Sequence, residues 1–139
     1  MCVFCGIVRG ETAVSIVFED EVSLAFLDHR PLFPGHTLLI PRAHHDTLTD
    51  LPDELVQPLF ENARALARAM QEGLGAAGTF VAMNNVVSQS VPHFHVHVVP
   101  RRFKDGLRGF FWPRTRYESD DAREAVAEVL RSSLRTGAG

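Results

Sequence analysis

The run His93-Phe-His-Val-His-Val-Val99 alternates imidazole with apolar side chains and is closed by Pro100. Alternation with a period of two predicts a strand over residues 94–99, because successive strand side chains point to opposite faces. His93, His95 and His97 then share one face. Phe94, Val96 and Val98 share the other and are expected to join the core. A single strand histidine is usually solvated or hydrogen-bonded in place. Three at this spacing make poor core and poor surface, so function is the stronger reading. Either the imidazoles converge on a metal such as zinc, or one is a nucleophile that the others orient. A nucleophilic imidazole must be neutral at the attacking nitrogen, hold its other proton on a fixed acceptor, and have anion-stabilising donors beside it. Gln89 and Ser90 just ahead of the strand supply such donors. No carboxylate lies between His93 and Arg102, which favours the nucleophile.

The rest of the chain is what such a strand needs around it. Its 139 residues suit one domain with one core. With 45% hydrophobic and 22% charged residues it is too apolar to be disordered. A formal net charge of −3 gives no global attraction to nucleic acid or anionic membrane. No apolar run is long enough to span a bilayer, and Met1-Cys-Val-Phe-Cys5 has no leader pattern, so a cytoplasmic location with reduced cysteines is expected. Strands are expected at 15–19, 22–27, 36–40, 79–83 and 94–99. A helix is expected from about Pro52 to Leu74, with Asp50 as its cap and a kink or restart at Pro58. Its stripe is Leu55, Leu59, Phe60, Ala63, Leu66, Ala67, Met70 and Leu74, and Gly73 and Gly75 close it. A second helix is expected over 121–134, with a disordered tail from Thr136. Short turns between most strands favour antiparallel pairing and an α+β fold.

The pattern at 93–99 resembles the signature of the histidine triad (HIT) superfamily. The resemblance extends over nearly all of residues 2–101. Cys2-Val-Phe-Cys5-Gly-Ile-Val with Gly10-Glu11, Glu19-Asp20, Leu24-Ala-Phe-Leu-Asp28, and Pro34-Gly-His-Thr-Leu-Leu-Ile-Pro41 with His44 are similar to its zinc-containing bacterial branch. The resemblance implies a HIT domain over 1–117, followed by a C-terminal helix and flexible tail over 118–139. It implies a homodimer with an antiparallel sheet, one long helix and a C-terminal helix.

The implied activity is hydrolysis or transfer at the α-phosphate of a purine nucleotide conjugate, through a nucleotidyl-histidine intermediate. The conjugate is a phosphoramidate, an acyl-adenylate or a dinucleoside polyphosphate. His95 falls on the nucleophile, His97 on a phosphate contact, His36 on the outlying fourth histidine, and Ser90 on a donor to the leaving group. Gln89 and Asn85 fall on the polar phosphate loop. Asp28 matches the residue that accepts from the ribose hydroxyls, and Phe4, Ile7, Phe26 and Leu27 are candidates for the purine pocket. Alternatives are a non-catalytic nucleotide-binding scaffold and a metal-dependent hydrolase.

The Cys2-x-x-Cys5 pair reads as redox chemistry or half of a zinc site. A redox pair belongs at a helix start, and this one is expected to lead into a strand. His44 and His93 match the remaining ligands of a closed, structural zinc site; no organic cofactor is expected. Arg101–Tyr117 mixes cations and aromatics. It is expected to serve substrate choice and not nucleic acid, with Trp112 near a base or interface and Arg114 or Arg116 near phosphates. The loop departs from the family pattern Asn-Gly-x-x-x-Gly-Gln, because Asn84-Asn85-Val-Val-Ser88-Gln89 has no glycine to let the backbone approach a phosphate.

Overall fold

Asp20 sets the first hairpin. Its Oδ1 accepts from the backbone N–H groups of Val22 and Ser23 at 3.0 and 2.8 Å, folding the chain between β1 (Ile16–Glu19) and β2 (Ser23–Leu27). Asn62 donates to the other Asp20 oxygen at 2.9 Å and ties this turn to the long helix. Past β2, Gly35 turns the chain into β3 (Thr37–Pro41) at φ 103. A Cβ there would lie 2.7 Å from Leu74 and 3.3 Å from Pro100, so the turn needs glycine on two counts.

The computed structural model describes residues 1–107 and 114–137 and divides them into two compact units, Met1–Asp105 and Gly106–Gly139. In the first, β4 (Gly78–Ala82) and β5 (Val96–Arg101) complete a five-stranded antiparallel sheet of order β1-β2-β3-β5-β4. Both faces are covered. Ala25, Leu39, Phe94, Val96 and Val98 pack under α2 (Asp53–Leu74) against Leu59, Ala63, Leu66 and Met70. Leu24, Phe26, Leu38 and Ile40 point the other way and pack against Phe4 and Ile7 of a short helix α1 (Val3–Val8). Each such side chain fully withdrawn from water contributes about 2 kcal/mol, which fixes the register of both faces.

Several local expectations give way. The Cys-x-x-Cys pair does not lead into a strand: Cys2 caps α1, accepting from the Cys5 N–H at 3.4 Å. β5 starts at Val96, leaving His93, Phe94 and His95 ahead of the ladder, and it runs through Pro100. β3 pairs only with Val96–Val98, so at Pro100 the sole ladder partner is Thr79 of β4, and the missing N–H is tolerated. α2 continues across Pro58, which lies near enough to its N-terminus that only the bond to the exposed Glu54 is lost. Pro52 is the α2 cap. Asp50 instead closes the 3-10 turn Leu48–Asp50, accepting from the Thr47 N–H at 3.0 Å and the Thr47 hydroxyl at 2.8 Å. Phe60 and Leu74 of the expected stripe are exposed. Gly75 closes α2 in the left-handed conformation.

In the second unit, α3 (Asp120–Gly137) runs past Leu134 and Thr136, further than its apolar stripe indicates. Arg114 and Arg116 are exposed, and Trp112 lies outside the described residues. No described helix is long and apolar enough to cross a membrane.

Candidate active site and metal centre

His95 is buried, and its Nδ1 lies 2.8 Å from the backbone carbonyl of His93. A carbonyl can only accept, so the proton sits on Nδ1 and the Nε2 lone pair is free. The Phe4 ring meets His95 edge-on at 5.1 Å and fixes the plane of the imidazole.

A second chain of hydrogen bonds fixes His97. The Leu32 N–H donates to His36 Nδ1 at 3.1 Å, which places the His36 proton on Nε2. That nitrogen lies 3.0 Å from His97 Nδ1 and donates to it. His97 therefore carries its own proton on Nε2, as a donor needs. Burial pushes His97 down to about 4, and the neighbouring His95 and His36 add to the effect. Burial also lowers His36, offset in part by Asp28, whose Oδ2 lies 3.7 Å from His36 Nε2. Both imidazoles are thus neutral at physiological pH.

His95 and His97 line one cavity of about 390 Å³. Phe4, Ile7, Phe26, Leu27, Asp28 and Ser90 line it too, so eight of the sequence candidates converge there. Asp28 also does the bland work of a turn aspartate, accepting from the Arg30 N–H at 2.9 Å. The lining includes Thr12, Ala13, Val14, His29, Leu38 and Val91, which sequence reasoning missed. Leu38 had a usable signal: it faces opposite to Leu39 in a strand, and it pairs with His97.

Gln89 and Asn85 do not line that cavity. Gln89 Oε1 accepts from the Val86 N–H at 3.0 Å, and its Nε2 donates to the Asp46 carbonyl at 2.6 Å. Asn85 Oδ1 accepts from the Leu48 N–H at 2.7 Å. Both side chains anchor the loop to the segment after β3. The loop lacks glycine yet keeps a glycine-like path, with Val86 at φ 68 and Ser88 at φ 63. A left-handed β-branched residue costs on the order of 1–2 kcal/mol.

His93, His95 and His97 do not converge on one point. Among the described residues, His93 gathers with Cys2, Cys5 and His44, and His97 with Asp28 and His36; His95 is in neither group. The first group fits zinc. Cys2 Sγ and Cys5 Sγ lie 3.5 and 3.6 Å from His93 Nδ1, and Cys5 Sγ lies 3.3 Å from His44 Nδ1. Zinc bonded tetrahedrally to thiolate and imidazole sets sulfur–nitrogen edges of about 3.5 Å. Both ring protons are held elsewhere, His93 Nε2 on the Pro41 carbonyl at 2.9 Å and His44 Nε2 on Asp46 at 2.7 Å. Each Nδ1 is left as a lone pair aimed at the thiols, the arrangement that orients metal-ligating histidines. The helix-start position of the cysteines fits a redox pair as well, so it is the two imidazoles that favour a metal.

The HIT domain family model matches residues 9–104. The chain is 32% identical over 129 residues to the adenosine 5′-monophosphoramidase of Saccharomyces cerevisiae, covering 93% of this chain and 80% of the yeast protein. Its structure resembles the crystal structure of a HIT family member from Bacillus subtilis, with TM-score 0.86 and 31% identity, covering 94% and 95% of the two chains. A zinc-bound histidine triad family protein from Mycobacterium smegmatis is similar at TM-score 0.74 and 39% identity, covering 94% and 96%.

Proposed function

The chain belongs to the HIT family, and on that premise we propose that it is a nucleotidyl hydrolase or transferase acting at the α-phosphorus of a purine nucleotide conjugate. One observation carries the reading: the His93 carbonyl holds the His95 proton on Nδ1, leaving Nε2 as a free lone pair on a residue that lines the cavity. His95 Nε2 forms a bond to the α-phosphorus as the bond to the leaving group breaks. The leaving group takes a proton by way of the Ser90 hydroxyl. Water or another acceptor then attacks the phosphorus, His95 departs, and the proton is returned. His97 Nε2–H donates to a phosphate oxygen, and His36 holds it in that tautomer. Asp28 Oδ2 accepts from the ribose hydroxyls, and Phe4, Ile7 and Phe26 pack on the purine.

Cys2, Cys5, His44 and His93 hold zinc as a structural ion in this reading, and the ion fixes α1 against the start of the histidine segment. The protein is proposed to act as a homodimer on the family's ground, a two-fold pair being the commonest assembly.

Incubation with labelled nucleotide conjugates should leave a nucleotidyl adduct on His95, seen by mass spectrometry. His95→Ala should lose turnover by a factor of about 1000 or more while keeping its circular dichroism spectrum. Turnover retained in that variant overturns the nucleophile.

A further inference from the structure

Cys2 and Cys5 are the two cysteines of the chain, so a single intramolecular disulfide is open to it. Both are half-buried, and Cys2 lines a cavity of about 400 Å³ with Met1 and His44, which gives a small oxidant a way in. We propose that this thiol pair is an oxidation site: a peroxide converts it to a disulfide, zinc leaves, and His95 loses the alignment its attack requires. The proposal rests on the zinc site and the nucleotidyl-transfer reading given above.

The geometry suits both states of the pair. Cys2 caps α1 and Cys5 follows three residues on. That spacing rises about 4.5 Å along a helix, inside the Cα separation of up to about 6.8 Å that a disulfide spans. The two sulfurs and one nitrogen each of His44 and His93 all lie within 4.8 Å of one another. Rotation of the two side chains closes the sulfurs to the bond length of about 2.0 Å. A redox pair and half of a zinc site are then two conditions of the same side chains.

His93 ties that pair to the nucleophile. Its Nδ1 faces both sulfurs, its Nε2 proton rests on the Pro41 carbonyl, and its own carbonyl holds the His95 proton. Phe4, between the two cysteines in sequence, meets His93 and His95 edge-on. Joined sulfurs offer zinc no thiolate, and two imidazoles fall short of its closed four-ligand set. His93 Nδ1 is left as a buried acceptor whose partner has gone, an arrangement that favours movement of the residue. The His93 carbonyl and the Phe4 ring move with it, and both set the position of His95. A displacement of about 1 Å at reacting atoms costs on the order of a hundredfold in rate.

The step balances. The Cys2 thiolate attacks hydrogen peroxide, an S–O bond forms, the O–O bond breaks, and the departing hydroxide takes a proton to become water. The Cys5 thiolate then attacks the Cys2 sulfur, the S–O bond breaks, and a second water leaves with another proton. The two sulfurs together lose two electrons and the peroxide gains them.

The test treats the zinc-loaded full chain with hydrogen peroxide. Zinc is followed with a chromogenic chelator, the thiols by alkylation and mass spectrometry, and turnover with adenosine 5′-phosphoramidate. Zinc is expected to leave as a Cys2–Cys5 disulfide forms, and turnover to fall by about tenfold or more. Reductant with zinc should restore turnover, and reductant with chelator should not. Cys5→His keeps four ligand side chains and one thiol. After the same treatment it should hold its zinc and the turnover of its own untreated sample. Should that variant not take up zinc, chelation of reduced wild type replaces it, with the same fall expected and recovery on zinc alone. Zinc retained after peroxide, oxidation that yields no Cys2–Cys5 disulfide, turnover unchanged once zinc has left, or equal loss in zinc-loaded Cys5→His overturns the site while leaving nucleotidyl transfer standing. Reduced, zinc-loaded protein with neither turnover nor an adduct on His95 overturns the transfer reading and the control of His95 with it.

Discussion

Among the described residues, two clusters of polar side chains flank His95, and both are built around imidazole. In one, His44 and His93 give their Nε2 protons to Asp46 and to the Pro41 carbonyl, so two Nδ1 lone pairs face two thiols. In the other, a backbone N–H occupies His36 Nδ1, and His36 occupies His97 Nδ1. The first cluster is left with acceptors pointing inward, as a cation requires. The second is left with one outward N–H, as an anion requires. What sits on the far nitrogen of each ring decides which job the near nitrogen does.

The contrast breaks most visibly at the thiols. Cys5→Ser should lose bound zinc by metal analysis. It should also lower stability by about 4 kcal/mol, the linkage expected where zinc exceeds its Kd a thousandfold. Chelation should reproduce the loss in the wild type and leave Cys5→Ser unchanged. On the other side, His36→Phe should retain zinc and lower kcat on the order of a hundredfold, because His97 loses its orienting donor.

The same variant sharpens a pH dependence. The folded protein holds His97 at about 4, below its ordinary value of 6.5, so the unfolded chain takes up a proton first as pH falls. Stability is full above 6.5 and is lost progressively between 6.5 and 4. Denaturant midpoints across that window should fall less steeply in His36→Phe, which removes one of the other lowered imidazoles. The smallest effect is expected in the loop between the clusters. Val86→Gly relieves the left-handed strain at an entropic cost, for a net gain of up to about 1 kcal/mol.

The strand alternations, the apolar stripe of α2 and the family pattern were legible because each depends on neighbours along the chain. Phe94, Val96 and Val98 do pack under α2 as the period of two requires. The short apolar run at 3–8 could not declare itself a helix, being under two turns, and periodicity does not separate a run that short from a strand. Pro100 read as a stop because its tolerance depends on where β3 ceases to pair, which is a property of another strand. Gln89 read as a phosphate contact because the Asp46 carbonyl that holds it is distant in sequence. The ring tautomers were equally hidden, since a carbonyl or an N–H at the far nitrogen leaves no mark on the identity of the histidine.

One six-residue helix carries an unusual share of this molecule. α1 begins at the cap Cys2 and contains Cys5, while its Phe4 ring touches Phe26, His93 and His95 at 5.5, 5.8 and 5.1 Å. Its first residue, Val3, lines the cavity that holds His95. In practical terms, a purification tag fused ahead of Met1 abuts all of these parts at once. Protein prepared that way should be cleaved before its metal content or its substrate range is measured, or tagged at the other end.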